Sequence, residues 1–340
     1  MRHLLDMQKQ LVPDLLETLK KRYTVLQHLS TSGMIGRRTL ASALGQTERV
    51  LRAEVDFLKQ QGLVEVQTAG ISVSEAGMTL LEQMQPLVQE LFGLADIEER
   101  IRSYYGLKQV IVVPGDSDDT RTAKSELGRS AASVLRSLVS ASDVIAVTGG
   151  STMAAIAQHL TESPQFKSSV FVPARGGLGE SLDYQANTIV SSMAKKTGAR
   201  YRMLHVPDHL SEEAYQSLIQ EPNIREIVEV IRSVRIVVHG IGDAMTMARR
   251  RKLDETTIEA LKHDGALAEA FGYYFDKQGK VVHKMGTVGL RLEDIQQAEI
   301  VIAVAGGNSK GEAIASILQY GHEDVLITDE GAAKAMLPFM

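Results

Sequence analysis

The chain has 340 residues, of which 44% are hydrophobic and 23% charged, values typical of a folded protein long enough for two domains. It contains no cysteine, which excludes disulfides, thiolate metal sites and a cysteine nucleophile, and which is typical of the reducing cytoplasm. No apolar stretch approaches the ~20 residues of a membrane helix. Asp6 and Lys9 interrupt the N-terminus where a signal peptide needs an apolar run. We therefore predict a cytoplasmic protein.

The first predicted elements form a helix-turn-helix. Helical spacing over 11–29 is followed by a short helix at about 37–44, and Gly45 then supplies a tight turn because glycine adopts positive φ at little steric cost. Thr47 is a good N-cap for a second helix, which ends at Gly62. The order of these parts predicts a DNA-recognition helix.

Two short strands follow this helix, at 63–66 and 71–73, and predict the hairpin of a winged helix. The apolar residues of the recognition helix are expected to form one buried stripe, comprising Val50, Leu51, Val55 and Leu58. We therefore predict a winged-helix DNA-binding domain over 1–74.

The polar face of the predicted recognition helix carries the candidate DNA contacts. Arg49 and Arg52 lie near its N-terminus, the end that meets base edges in the major groove. Arg37 and Arg38, beside the preceding helix, are better placed for backbone phosphates than for bases. Thr47 and Glu48, at the start of the recognition helix, complete the candidates. A mildly basic balance over 1–70, with ten Lys/Arg against seven Asp/Glu, agrees with double-stranded DNA as partner. The alternative is an ordinary helical subdomain with solvated arginines.

An acidic helical segment over 75–100 separates this domain from the rest of the chain. Its near-helical apolar spacing is interrupted by Pro86, which is expected to kink or split the helix. A connecting or dimerising helix and a plain spacer both fit this pattern.

From about residue 101 to 340 the pattern changes to short apolar strands alternating with helices, which predicts an α/β domain with a parallel sheet. The predicted strands are 109–113, 144–147, 170–172, 201–205, 236–239, 300–304 and 325–328. Ligands of such sheets bind beyond the carboxyl ends of the strands.

Four of these strands end in glycine-rich loops. Their glycines allow backbone N–H groups to converge on an anion, and three of the loops are accompanied by basic residues, which suit phosphate. The four loops begin at Thr148, Pro173, Gly240 and Ala305. Together they predict a ligand with more than one anionic group.

No cofactor or metal is predicted. The chain has no GxxxxGK[ST] loop, no GxGxxG at its first strand–helix unit, and no HExxH or clustered metal-ligand spacing among its nine histidines.

The motifs at these loops resemble the SorC (also called DeoR-type) sugar-binding repressors over essentially the whole chain. The matching segments include VTGGST, FVPARGGLGE, HGIGDAMTMARRR and VIAVAGGNSK. The resemblance implies a Rossmann-like effector domain related to ribose-phosphate isomerase and glucosamine-phosphate deaminase. It also implies repression of a glycolytic operon, induction by fructose 1,6-bisphosphate or a related phosphosugar, and homodimers that assemble into a tetramer on operator DNA.

The same resemblance implies the effector-binding residues. They are Gly149, Gly150, Ser151, Thr152, Arg175, Gln185, Arg250, Arg251, Glu269 and Lys310. The family usually has threonine where this chain has Ser151, a change that keeps the hydroxyl. Our hypothesis is that the arginines and the lysine hold two phosphates while Gln185 and Glu269 bond sugar hydroxyls.

Two other functions fit parts of the pattern. An enzyme of sugar phosphates would need an acid and a base, for which Glu269, Asp243 and His239 are candidates, although no spacing marks them as a catalytic set. A regulator of another phosphosugar pathway is the second alternative, but the Arg250–Arg251 pair favours a ligand with a second phosphate.

Overall fold

The computed structural model describes residues 11–177, 181–207 and 212–340, and the chain divides into two compact units. The N-terminal unit extends to Asp96 and includes Thr120–Thr122, and the C-terminal unit comprises Ile97–Asp119 and Ala123–Met340. No helix among the described residues is long and apolar enough to cross a membrane.

The N-terminal unit contains the predicted winged helix. Its elements are α1 (Pro13–Ser32), α2 (Arg37–Ala43), α3 (Glu48–Gln60), β1 (Val64–Gln67), β2 (Gly70–Val73) and α4 (Glu75–Leu91). Gly45 adopts a φ of 60° at the turn between α2 and α3, and the Thr47 hydroxyl caps α3 by accepting from the backbone N–H of Val50. β1 and β2 pair antiparallel as the wing.

The recognition helix α3 is fixed by its apolar stripe and by one arginine. Leu51, Val55 and Leu58 are buried as predicted, but Val50 is 47% exposed, so its assignment to the buried stripe was wrong. The three buried residues have the i, i+4, i+7 spacing of one helix face, whereas Val50 lies about 100° around the helix from Leu51. From α1, the Arg22 guanidinium lies 3.5 Å from the centre of the Phe57 ring, and Nε donates to Glu54 at 2.9 Å. Of the two effects predicted for Pro86, a kink or a split, the split does not occur, because α4 continues to Leu91.

The C-terminal unit is built on a seven-stranded parallel sheet in the order β3-β13-β12-β7-β4-β5-β6. These strands are β3 (Gln109–Val113), β4 (Val144–Val147), β5 (Val170–Pro173), β6 (Arg200–Tyr201), β7 (Ile236–His239), β12 (Ile300–Val304) and β13 (Val325–Asp329). The strand predicted at 201–205 is shorter in the structure. β6 comprises Arg200 and Tyr201, so only the first of the predicted residues lies in it.

Helices connect the strands of this sheet. They are α5 (Ala95–Tyr105), α6 (Arg121–Leu138), α7 (Ser151–His159), α8 (Ala186–Thr197), α9 (Glu212–Leu218), α10 (Pro222–Arg232), α11 (Ala244–Arg250), α12 (Glu255–His263), α13 (Leu292–Gln297), α14 (Gly311–Tyr320) and α15 (Glu330–Met336). A core cluster packs Leu127 of α6, Ile156 of α7 and Val190 of α8 against the sheet.

The strand order reverses between β4 and β7. From β4 the chain continues to β5 and β6 on one side, and from β7 it continues to β12 and β13 on the other. The loops that follow β4 and β7 therefore diverge and leave a crevice at the carboxyl ends of these strands, where open α/β sheets bind ligands.

A second, antiparallel sheet was not predicted. It has the order β11-β10-β9-β8, with β8 (Gly242–Asp243), β9 (Ala268–Ala270), β10 (Tyr273–Phe275) and β11 (Val281–Lys284). A separate apolar core packs it against α11 and α12. Its strands have two to four residues, too few for a clear periodic signal in the sequence.

Candidate functional site

A cavity of about 480 Å³ lies at the crevice between β4 and β7, a volume typical of small-molecule sites. All ten predicted effector-binding residues line it: Gly149, Gly150, Ser151, Thr152, Arg175, Gln185, Arg250, Arg251, Glu269 and Lys310. They come from the loops after β4, β5 and β12, from the start of α8, from the end of α11 and from β9. The fold thus assembles residues up to 161 positions apart, from Gly149 to Lys310, around one space.

The loop after β4 offers an open helix N-terminus. α7 begins at Ser151 directly after Gly150, and within the described chain no side chain caps this helix. Gly150 donates its own N–H to the Tyr184 carbonyl at 2.8 Å, which fixes the loop. The first N–H groups of a helix point along its axis and carry partial positive charge, so this end of α7 is suited to an anion.

The amides of the loop after β12 already have partners. The backbone N–H groups of Gly307, Asn308 and Ser309 donate to Asp329, Asp116 and Asp118 at 2.8, 3.1 and 2.8 Å respectively. This loop therefore contributes the side chain of Lys310 to the cavity rather than a cradle of backbone amides.

The other two glycine loops also use their amides internally. Gly176 and Gly177 donate to the carbonyls of Val288 and Val206, and the Asp243 carboxylate caps α11 by accepting from Thr246 at 2.8 Å. The loop after β4 leads directly into α7, and the loop after β12 leads through Lys310 into α14; neither helix has a side-chain cap among the described residues. The loops after β5 and β12 contribute the side chains of Arg175 and Lys310 to the cavity.

Glu269 joins two arginines at the wall of the cavity. Its Oε1 accepts from Arg175 Nη1 at 3.1 Å, from Arg251 Nη2 at 2.9 Å and from the backbone N–H of Gly272 at 2.7 Å. All three side chains are at most 7% exposed. Burial alone would raise the pKa of Glu269, but the charges of Arg251 and Arg175 outweigh it, so the pKa lies below its ordinary value.

This arrangement adds a role to the one that we expected for Glu269. Its Oε1 accepts from both arginines and thereby orients Arg175 and Arg251 at the cavity wall. The three donors all contact Oε1, so the bonding of a sugar hydroxyl by Oε2 stays a prediction.

The sequence did not predict Phe271 as a cavity residue. It has a left-handed backbone with a φ of 55°, which is rare for a bulky residue, and its ring lies 4.6 Å from the ring of His239. His239 itself is fully buried and does not line the cavity, so it is not a ligand contact.

His239 lies 3.7 Å from a second buried group, the carboxyl of Glu323. The distance fits an ion pair, but burial lowers the pKa of His239 to about 4 and raises that of Glu323 to about 7, so between about pH 4 and pH 7 both groups are uncharged. Burial is the largest cause of both shifts.

Glu323→Gln is expected to stabilise the C-terminal unit at alkaline pH. Because the folded state binds the Glu323 proton more tightly than the unfolded state, wild-type stability falls as pH rises from the ordinary value towards about 7. The neutral amide avoids this cost, and the gain at about pH 8 should be about 2–3 kcal/mol.

Urea unfolding followed by circular dichroism at about pH 8 and at about pH 5 measures this difference. At the lower pH the folded carboxyl is protonated and the unfolded one only partly so, and the difference between the two proteins should fall below about 1 kcal/mol. A variant less stable than wild type at the higher pH would contradict the assignment of a buried, protonated carboxyl.

The predicted DNA-contact residues lie on one part of the N-terminal unit, around the start of α3. Arg49 and Arg52 are exposed, as are Thr47 and Glu48. Arg38 is 90% exposed and donates to Glu48 at 2.9 Å, an exposed ion pair that costs little to break. Arg37, the sixth candidate, is half-buried at the first turn of α2.

Comparison with protein families divides the chain in the same two parts. The family model described as "Putative sugar-binding domain" matches residues 89–338, and the one described as "CggR N-terminal DNA binding domain" matches residues 18–88. The chain is 48% identical to the central glycolytic genes regulator of Priestia megaterium and 44% identical to that of Bacillus subtilis, in each case over 99% of both chains.

Solved structures show the same architecture. A SorC family transcriptional regulator from Enterococcus faecalis is 43% identical, with a TM-score of 0.67 over 71% of this chain and 99% of that one. The full-length sorbitol operon regulator SorC from Klebsiella pneumoniae matches 94% of this chain and 98% of its own with a TM-score of 0.69; at 18% identity this likeness shows the fold alone.

Proposed function

The chain belongs to the SorC family of sugar-binding transcriptional regulators, among the central glycolytic genes regulators, and from this premise we propose that fructose 1,6-bisphosphate binds its cavity and releases it from operator DNA. It is a regulator and not an enzyme. A ligand shifts an equilibrium only by its differential affinity, so the bisphosphate must bind more tightly to the form that holds DNA weakly.

The charge of the cavity supports a phosphate-bearing ligand. Four cationic side chains line it, against the two carboxylates of Glu269 and Asp243, and the uncapped start of α7 adds further positive potential. The excess of positive charge suits an anion such as a phosphate group. The choice of a bisphosphate rests on the resemblance to the family.

Fructose 1,6-bisphosphate is expected to weaken operator binding at fixed salt, whereas fructose 6-phosphate at the same concentration should have little effect. A coupling of about 1–3 kcal/mol corresponds to a loss of about 5- to 150-fold in affinity. Fluorescence anisotropy of labelled operator measures it, and salt must be constant because counterion release dominates DNA affinity.

An equal effect of both sugars would contradict the two-phosphate site and favour a regulator that senses a monophosphate. If neither sugar changed operator affinity, the effector proposed here would be wrong, while the family assignment would stand.

For the DNA-binding unit, we propose that Arg49 and Arg52 of α3 contact base edges. Arg49→Ala is expected to lower operator affinity by about 1–3 kcal/mol and to relax specificity at one position. Lys59→Ala is a matched control, because Lys59 is exposed in the last turn of the same helix, away from the end that enters the groove. Equal losses in the two variants, measured by anisotropy, would contradict base contact by Arg49.

We further propose that 1–74 binds DNA, that 75–100 connects it to the effector-binding domain at 101–340, and that dimers form a tetramer on the operator. The resemblance to the family supports this assembly, and sedimentation of the operator complex tests it directly. A complex with one dimer per operator would contradict the tetramer.

A further inference from the structure

Lys124 contacts the anion loop from a helix that the sequence did not connect with the site. It lies in the first turns of α6 and is half-buried, and its Nζ donates to the Ser151 hydroxyl oxygen at 3.0 Å. Ser151 lines the cavity and is the first residue of α7. The two residues are 27 positions apart, so only the fold brings them together.

This hydrogen bond fixes the direction of the Ser151 hydroxyl proton. An ammonium group has donors only, whereas a hydroxyl has one donor and two acceptor lone pairs. Ser151 must therefore accept from Lys124, and its own O–H is directed away from the ammonium. Phosphate oxygens only accept when ionised, so the contact keeps Ser151 in the state that such a ligand requires.

Lys124 also adds positive charge beside Lys310. Burial lowers the pKa of Lys310, and the charge of Lys124 lowers it further. The other charged groups that act on Lys310 are Asp118, Arg250 and Asp329. An anion bound close to Lys310 would therefore also be attracted by the charge of Lys124.

We propose that Lys124 is a positioning residue of the phosphate-binding site, which holds the Ser151 hydroxyl as a donor to a phosphate at the α7 end of the cavity, where its charge adds to that of Lys310. This inference rests on the proposed function in that it assigns a phosphate to this cavity, but it does not depend on which sugar carries the phosphate.

The test compares Lys124→Gln, Lys124→Arg and Lys195→Gln with wild type in the full chain, by isothermal titration calorimetry with fructose 1,6-bisphosphate and, separately, with inorganic phosphate. Lys195 is an exposed lysine of α8, so its variant loses the same charge away from the site. Circular dichroism establishes that each variant is folded.

Lys124→Gln is expected to bind both probes about tenfold more weakly, the loss of one charge-assisted hydrogen bond, while Lys124→Arg and Lys195→Gln stay within about threefold of wild type. The pH dependence separates positioning from a merely structural effect. Affinity falls as Lys310 loses its proton, and removing the charge of Lys124 raises the pKa of Lys310, so this fall should move to higher pH in Lys124→Gln alone.

Unchanged affinity for both probes in Lys124→Gln would overturn the inference, as would weaker binding with an unchanged pH dependence. If Lys124→Gln does not fold, Lys124→Arg decides: a tenfold loss there, with the charge retained, would also overturn it. Wild-type binding of phosphate but not of fructose 1,6-bisphosphate would refute the proposed effector, and Lys124 would then be judged on phosphate alone. If wild type binds neither probe, both proposals fail.

Discussion

Replacing Glu269 by alanine is expected to lower the free energy of unfolding of the C-terminal unit by about 3–5 kcal/mol, because it leaves Arg175 and Arg251 buried without their counter-ion. Glu269 is 4% exposed and its pKa is lowered by both arginines, so the ionised carboxylate, and not a neutral acid, is the form that stabilises the fold. The wild-type contribution is lost as pH falls below the ordinary glutamate value and through the lowered one.

Urea unfolding followed by circular dichroism gives the difference, and Glu259→Ala is the matched control because Glu259 is exposed on α12. Inorganic phosphate should raise the melting temperature of Glu269→Ala more than that of wild type, since an anion at the cavity wall replaces the missing charge. A loss below about 1 kcal/mol, the size of an ordinary substitution, would mean that water compensates the two guanidiniums.

Gly289→Ala is expected to destabilise the same unit by about 3 kcal/mol or more, for two additive reasons. Gly289 has a φ of 139°, which side chains other than glycine rarely adopt, and an added Cβ would lie 2.3 Å from the Ala174 carbonyl oxygen and 2.7 Å from Arg175 Cα. Both neighbours are backbone atoms of the strand-like bridge between Arg175 and Gly289, so neither can rotate away.

Gly265→Ala separates the two reasons. Gly265 has a φ of 70° but no atom within 4 Å of an added Cβ, so its variant should cost only the backbone term of about 1–2 kcal/mol. Calorimetry of ligand binding should also show weaker bisphosphate affinity for Gly289→Ala, because the bridge positions Arg175. Equal costs for the two glycines would contradict the steric argument.

The sequence predicted most of the architecture because its signals are local. The glycine turn and the Thr47 cap define the helix-turn-helix within a few residues, and the apolar strands of the parallel sheet are continuous runs. The resemblance placed ten residues that the fold brings around one cavity. Their part in ligand binding stays a prediction that calorimetry must test.

What the sequence could not predict depends on contacts between distant residues. The pairing of Lys124 with Ser151, and the donation of loop amides to Asp116 and Asp118, arise only once the fold has formed. The resemblance identified Glu269 as a cavity residue. Its hydrogen bonds with Arg175 and Arg251 could not be predicted, because they too form between residues that are distant in the sequence. Val50 was misassigned because it lies about 100° around the helix from Leu51, at the edge of the stripe, and the sequence does not show how far the core extends around the helix.

The carboxylates that bond the amides of Gly307, Asn308 and Ser309 have a kinetic and energetic consequence for the ligand. Since the protein supplies these acceptors itself, the loop that carries Lys310 is preorganised, and an incoming phosphate does not have to order it. Ordering a rotamer-rich side chain at an interface costs about 0.5–1.5 kcal/mol. Because this loop is already ordered before the ligand binds, less free energy is lost on binding and the affinity is higher. The association rate should then be limited by electrostatically guided diffusion and decrease with ionic strength.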